Sequence, residues 1–410
     1  MNIYIRKILI IFIIINLLSP LFSTYIIGTT YLDIPVWNEE LILTEVSSNS
    51  LSSLAPSLES ESAILIEETT GQILFEKNSH TKLRPASITK LMTLLLIMEN
   101  LKEGKISLED TVPCSEIASN MGGSQIWLST NETLTVHEML KAICVVSAND
   151  CAVAMAEYIS GSEEAFVILM NEKAKSLGMN DTVFKNCHGI DEDGHVSSSY
   201  DIAVMSRELL TKHPEIKDYT TIWMDTLRNG TSQLVNTNKL IRTYDGATGL
   251  KTGSTSLALY NLSASATRNN LSLISVILKA PSNEIRFKEA KLLLDYGFNK
   301  YNFKLLNEKH TFYQEVPILK GTLKTVNLIY ENDCGTLIEK NNNNNIETIT
   351  TINENITAPI FKGDILGKID YRINNETIAS VNLISEQDIP KNTFSNFIND
   401  LTKTYFKLLN

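Results

Sequence analysis

The sequence predicts an α+β protein in which a large domain, a sheet flanked by helices, precedes a small all-β domain and an amphipathic terminal helix. Three observations predict it. Over residues 58–300, short apolar runs bounded by turn residues are mixed with capped helical stretches. Over residues 305–388 the period changes to alternation, as in Val326, Leu328 and Tyr330 and again in Ile369, Tyr371 and Ile373. Residues 391–410 then return to helical period, with Phe394, Phe397, Ile398, Leu401, Tyr405 and Leu408 on one face. A chain of 410 residues has room for two domains and a large buried core.

The amino terminus carries Arg6 and Lys7 before a short isoleucine- and leucine-rich run, then Ser19, Pro20 and Ser23. Residues 1–23 therefore read as a secretory signal peptide, and an uncleaved signal anchor would use the same residues. Residues 24–57 are irregular and serine-rich, as a linker is.

Residues 63–66 and 72–75, separated by Thr69-Thr70-Gly71, predict a strand, a turn and a strand. After Pro85-Ala86 a helix runs through residues 91–98, apolar on most sides, which places it inside the domain. Thr135-Val136-His137-Glu138 has the capping-box pattern and opens a helix ending near Val146. A second helix spans about residues 150–158 and leaves Ser147-Ala148-Asn149 in the turn between them. Ser162 caps a third, which stops at Gly178. Gly249-Leu250-Lys251-Thr252-Gly253 leads into strands at 260–266 and 271–279, followed by a helix over roughly 284–296. Within the β domain, the asparagine run at 341–345 reads as a hairpin loop. The terminal helix carries Lys391, Lys403 and Lys407 against Asp400, which suits a membrane interface, although packing on protein would give the same stripe.

Composition excludes several classes. The formal net charge is −11, and removing residues 1–23 would make the chain more acidic still, so binding to nucleic acid through net charge is not expected. Five cysteines, an odd number, imply no disulfide framework; Cys144 and Cys151 could pair, but small buried thiols suit the pattern better. No histidine pair has helical ligand spacing and no Cys-x-x-Cys occurs, so no metal is expected. No cofactor is expected either.

Three short elements carry the chemistry. Ser87-Ile88-Thr89-Lys90 places a nucleophile and a candidate base on one side of a helix start, where free N–H groups can also stabilise an oxyanion. Ser147-Ala148-Asn149 supplies a second hydroxyl that can relay a proton and an amide that can hold a substrate amide. Lys251-Thr252-Gly253 offers a cation and a hydroxyl on a strand edge, where a substrate carboxylate can bind. Each has a structural reading when taken singly, as turn residues or a solvated strand end. Their occurrence together, in this order, is what acyl transfer needs.

With those elements in place, the chain resembles the D-alanyl-D-alanine carboxypeptidases, low-molecular-mass penicillin-binding proteins of the serine peptidase type. The resemblance extends to Met121-Gly122-Gly123-Ser124-Gln125, Gly161-Ser162-Glu163-Glu164, Asn236-Thr237-Asn238-Lys239 and Asp295-Tyr296-Gly297-Phe298, and covers about residues 58–300 closely. It implies a β-lactamase-like catalytic fold, peptidoglycan stem peptides as substrates, β-lactam antibiotics as acylating ligands, and an exported enzyme held to the membrane surface by its terminal helix. It further implies Ser87 as nucleophile, Lys90 as proton acceptor and Ser147 as relay. Asn149, Lys251, Thr252, Gly253 and Ser254 would bind substrate, with the N–H groups of Ser87 and Ser254 as the oxyanion hole. Arg286 would lie near the substrate carboxylate, a surface helix arginine being the alternative.

A neutral Lys90 requires a lowered pKa, for which burial and the nearby Lys251 are the expected causes. Ala148, Cys151 and Cys187 depart from the family's usual residues, and the histidines of the segment around Asn186-Cys187-His188-Gly189 are expected to be structural. Two other functions remain open from sequence. A serine β-lactamase shares the motifs, but Glu163, Glu164 and Glu172 fall in a helix with ordinary surface explanations. A catalytically silent wall-binding protein would have less need of complete motifs.

Overall fold

The computed structural model describes residues 55–340, 345–396, 398 and 402. The expected signal peptide, most of the linker, most of the asparagine run and most of the terminal helix lie outside the described residues.

The first domain is built on a five-stranded antiparallel sheet. Its strands are β1 (Ser62–Glu67), β2 (Ile73–Lys77), β3 (Ala247–Thr255), β4 (Leu259–Arg268) and β5 (Leu271–Ala280). They lie in the order β2-β1-β5-β4-β3, so β3, which carries Lys251-Thr252-Gly253, forms one edge. Successive side chains of a strand point to opposite faces. In β5, Ile274, Val276 and Leu278 enter the helical core, whereas Leu271, Leu273 and Ile277 pack on the other side. Ile64 and Leu65 of β1 divide in the same way.

On the helical side lie α1 (Lys90–Lys102), α2 (Val136–Val145), α3 (Asn149–Ser160), α4 (Glu163–Ser176) and α5 (Ser199–Lys212). The helix α6 (Asn283–Lys300) covers the opposite face through Phe287, Leu293, Leu294 and Phe298, with Leu240 and Tyr244 packed in the same core. Every residue of α1 from Lys90 to Met98 is buried, as its all-round apolar sequence predicts. The capping box at Thr135 is formed: Thr135 Oγ1 accepts from Glu138 N (3.2 Å), and Glu138 Oε2 accepts from Thr135 N (2.9 Å).

The start of α1 differs from a regular helix beginning beside Ser87. Ala86–Thr89 forms a 3-10 turn and α-helical geometry begins at Lys90, while Ala86 has a left-handed φ of 49°. In a 3-10 turn residues three apart eclipse one another, which brings Ser87 over Lys90 more directly than a regular turn would.

The all-β domain starts earlier than the expected 305, because β6 (Tyr301–Asn307) follows α6 with no turn residue between them. The further strands are β7 (Phe312–Pro317), β8 (Thr325–Tyr330), β9 (Cys334–Glu339), β10 (Glu347–Ile352), β11 (Ile365–Ile373) and β12 (Glu376–Ser385). β6 pairs with β9, and the others form a sheet in the order β7-β8-β12-β11-β10. Tyr301, Phe303 and Leu337 pack against the α6 side of the first domain's core. Helix is described at residues 394–396 of the terminal segment. Among the described residues no helix is long and apolar enough to cross a membrane.

Thr135→Ala removes one half of the capping box in the helix that leads into Ser147. It is expected to cost about 1 kcal/mol of stability, read as a fall of a few degrees in the unfolding midpoint, with α2 still formed by circular dichroism. An unchanged midpoint would show that the cap contributes nothing.

Candidate active site

The 3-10 turn, the α2–α3 turn and the edge strand β3 bring their residues to one place. Ser87 is half-buried, and Lys90 behind it is wholly buried. Lys90 Nζ lies 3.1 Å from Ser87 Oγ, 2.5 Å from Asn149 Oδ1 and 2.6 Å from the His188 carbonyl oxygen. Three partners from three separate segments therefore fix this one amine. Burial pushes the Lys90 pKa down from 10.5 to about 7, since a charged amine is penalised away from water, while the Asp150 carboxylate acts in the opposite direction.

Lys251 is also buried, and its Nζ donates to the Thr252 carbonyl (3.0 Å). Burial lowers its pKa well below 10.5, and the charges of Lys90 and Arg286 lower it further. Burial is the largest cause of the Lys90 shift, and the repulsion between the Lys90 and Lys251 ammonium groups disfavours charging both at once.

Gly253 explains how β3 reaches the nucleophile. A Cβ at this position would come within 2.8 Å of the Pro85 carbonyl and 3.0 Å of the Ser87 and Ile88 nitrogens. Only a residue without a side chain lets the strand pass this close to the turn. Thr252 Oγ1 donates to Thr237 Oγ1 (2.7 Å), and Ser254, one residue beyond Gly253, is exposed.

Arg286 is not a surface helix arginine. It is buried, and its Nη1 donates to the carbonyls of Gly253 (3.1 Å) and Asn261 (3.2 Å), while Nε has no partner. It thus braces β3 from behind, and burial lowers its pKa to about 10.

Ser147 is buried in a left-handed backbone conformation with φ 65°, and its Oγ has no hydrogen-bond partner. An unpartnered buried hydroxyl is costly and marks a position where an incoming group can be bound. Asn149 is more committed than expected. Its Oδ1 holds Lys90, its Nδ2 donates to the Gly122 carbonyl (2.7 Å), and its backbone N donates to the Ser124 carbonyl (2.7 Å).

Several contributors escaped the sequence reading. The His188 carbonyl is one, and Glu163 is another. Glu163, expected to be an ordinary surface residue, accepts from Cys187 N (2.9 Å) and lies 3.4 Å from His188 Nε2, which pins the segment carrying the Lys90 acceptor. Thr93 Oγ1 holds the same segment through the Cys187 carbonyl (2.6 Å). Asp150, also buried, accepts from the N–H groups of Ile126 and Leu128 and so fixes the loop that presents Gly122 and Ser124 to Asn149. Only the glycines and the serine of that loop gave a signal in sequence, as part of the family resemblance.

His188 and His195, expected to be structural, are both buried. Burial lowers His188 to about 3 and His195 to about 4, and His195 Nε2 bonds Thr89 Oγ1 (2.7 Å) beneath the turn. All five cysteines are free, four of them buried. Among the described residues no group of side chains could hold a metal ion.

This geometry sets a serine hydroxyl beside a buried amine of lowered pKa, where β3 passes the turn. Residues 49–282 match the family described as D-alanyl-D-alanine carboxypeptidase, and residues 301–391 match the C-terminal domain of penicillin-binding protein 5. The chain belongs to the D-alanyl-D-alanine carboxypeptidase family. It is a serine peptidase, a hydrolase of the cell wall, with the penicillin-binding protein fold. It is 43% identical over 344 residues to the carboxypeptidase DacF of Bacillus subtilis, covering 83% of this chain and 88% of that one. Penicillin-binding protein 5 of Haemophilus influenzae aligns with a TM-score of 0.71 at 31% identity, over 82% of this chain and 99% of that chain. Penicillin-binding protein D2 of Listeria monocytogenes, solved with ampicillin bound, aligns with a TM-score of 0.55 at 30% identity, over 60% of this chain and 100% of that chain.

Gly189 sits against the reactive turn of this carboxypeptidase. Its φ is 88°, and a Cβ there would fall 2.0 Å from the Ala86 carbonyl oxygen. Gly189→Ala should cost about 3 kcal/mol and displace the His188 carbonyl from Lys90. The expected result is a midpoint several degrees lower and most labelled-penicillin binding lost; retention of both would contradict the packing.

Proposed function

We propose that this carboxypeptidase removes the terminal D-alanine from peptidoglycan stem pentapeptides through an acyl-enzyme on Ser87. The observation that carries the proposal is the 3.1 Å approach of Ser87 Oγ to a buried amine whose pKa is lowered to about 7. A neutral Lys90 takes the Ser87 proton as Oγ attacks the carbonyl of the penultimate D-alanine. The N–H groups of Ser87 and Ser254 are the donors proposed for the oxyanion, supported by the close passage of Gly253 beside the Ser87 nitrogen.

The C–N bond then breaks, and the leaving amine receives a proton by way of Ser147, whose unpartnered hydroxyl is free to relay it. Water hydrolyses the ester and restores Ser87. Lys251, Thr252 and Arg286 line or back the β3 edge, and we assign the terminal carboxylate to that positive region. Asn149, through its bonds to Lys90 and Gly122, orients the base as well as bordering the peptide.

A β-lactam enters the same attack, but its leaving nitrogen stays tethered to the acyl group, so the adduct persists. Glu163 is spent on Cys187 N–H and is therefore ill placed to activate a deacylating water in the manner of a β-lactamase. The substrate and the Arg6-Lys7 leader also support an exported enzyme at the outer face of the membrane, with residues 391–410 as its anchor.

Mass spectrometry of a pentapeptide digest tests the proposal. Wild type should release a single alanine and no more, and Ser87→Ala should release none and take no labelled penicillin. Rapid steady-state turnover of benzylpenicillin would instead make the chain a β-lactamase.

A further inference from the structure

A hairpin far from the nucleophile in sequence grips the wall of the site through one side chain. Its strands, Met224–Leu227 and Ser232–Val235, pair with each other, and Lys141 of α2 holds it through Asp225 (2.7 Å). At its tip Arg228 and Asn229 have left-handed backbone, with φ of 52° and 54°. Such backbone is costly outside glycine and persists only where the surroundings impose it. Here it aims a guanidinium. Arg228 Nε donates to Glu132 Oε1 (2.6 Å), Nη1 to the Ile126 carbonyl (2.9 Å) and to Ser232 Oγ (2.8 Å), and Nη2 to the Trp127 carbonyl (3.3 Å). Glu132 is fixed in turn, since its Oε2 accepts from Ser129 N (2.9 Å).

Residues 121–132 lie outside helix and strand, so side chains must hold them. The grip comes from two sides. Asp150 accepts from the N–H groups of Ile126 (3.1 Å) and Leu128 (3.0 Å), while Arg228 takes the carbonyls of Ile126 and Trp127. Trp127 between them is itself left-handed, with φ 61°. The other end of the same loop holds Asn149: the Gly122 carbonyl accepts from its Nδ2 and the Ser124 carbonyl from its backbone N, both at 2.7 Å. The fit there is close, because a Cβ at Gly123 would fall 2.8 Å from Asn149 Nδ2. Asn149 Oδ1 in turn holds Lys90 Nζ, so a displacement of the loop is passed on to the amine.

We propose that Arg228 is a positioning residue for acyl transfer: it fixes the loop over residues 122–128 so that Asn149 holds Lys90 beside Ser87. None of its hydrogen bonds goes to Ser87, Lys90 or Asn149, so it acts through the loop alone. The work needs a planar fork with donors on three nitrogens, which lysine lacks. The assignment rests on the reading of Lys90 as the proton acceptor. It adds a residue from the opposite side of the loop, more than a hundred positions from Lys90 in the chain.

The test measures kcat and KM for a pentapeptide, and the second-order rate of labelled-penicillin acylation, in Arg228→Ala, Asn149→Ala and the double variant. Arg228→Ala should lower kcat and the acylation rate about tenfold, with KM within about twofold of wild type. Because Arg228 acts through Asn149, the double variant should acylate within about twofold of Asn149→Ala alone. Glu132→Gln, which leaves the arginine in place without the carboxylate that aims it, carries the same cycle with a smaller loss if Arg228→Ala does not fold. Wild-type rates in Arg228→Ala, a loss that multiplies in the double variant, or a raised KM at unchanged kcat would each overturn the assignment. A wild-type enzyme that takes penicillin but releases no alanine would strike the proposed function instead, and the penicillin rates would still decide the role of Arg228.

Discussion

The active site depends on one constraint: a lysine amine held out of water beside a serine hydroxyl. Lys90 is the first residue of α1 and has no exposure, so its position is set by packing as much as by hydrogen bonding. Its three acceptors come from the 3-10 turn, the first residue of α3 and the segment before Gly189, and none is adjacent to another in sequence. Displacing any of these segments leaves a buried amine short of a partner, which costs more than the bond itself contributed. This is why residues that touch no substrate, such as Glu163, Thr93 and Asp150, belong to the account.

Burial also sets an opposition between function and stability. Because folding lowers the Lys90 pKa from 10.5 to about 7, the unfolded chain binds more protons between those two values. Stability therefore rises with pH through that window, and the full cost of the buried amine is felt below about pH 7. The rest of the first domain is built to bear that cost. Its core surrounds α1 on all sides, and α6 packs the opposite face of the sheet so that β3 stays firm at the edge. Arg286 reaches from α6 to the Gly253 carbonyl, tying that outer layer to the strand of the site.

Much of this was legible in sequence, and the exceptions share a cause. Elements with local signals, such as the Thr135 capping box and the Ser162 cap, fell where pattern placed them. The approach of Lys90 Nζ to Ser87 Oγ was legible too, because their spacing is local. What pattern could not reach were contacts made by backbone atoms of distant segments. The His188 carbonyl has no side-chain signature, and Glu163 looks like any acid in the first turn of a helix. The 3-10 turn before α1 packs against Gly189, more than a hundred residues away in the chain. Arg286 shows the same limit in reverse, since its helix has surface-like composition while its guanidinium is buried against β3.

The central claim is that Lys90 acts as a base because burial leaves it neutral near physiological pH. The second-order rate of Ser87 acylation by benzylpenicillin, followed over roughly pH 5 to 9, tests this most directly. The account predicts a rate that climbs about tenfold per pH unit at low pH and levels off above about 7, with the climb lost and the rate collapsed in Lys90→Ala. A flat profile through that range, or a Lys90→Ala enzyme acylated as fast as wild type, would contradict it.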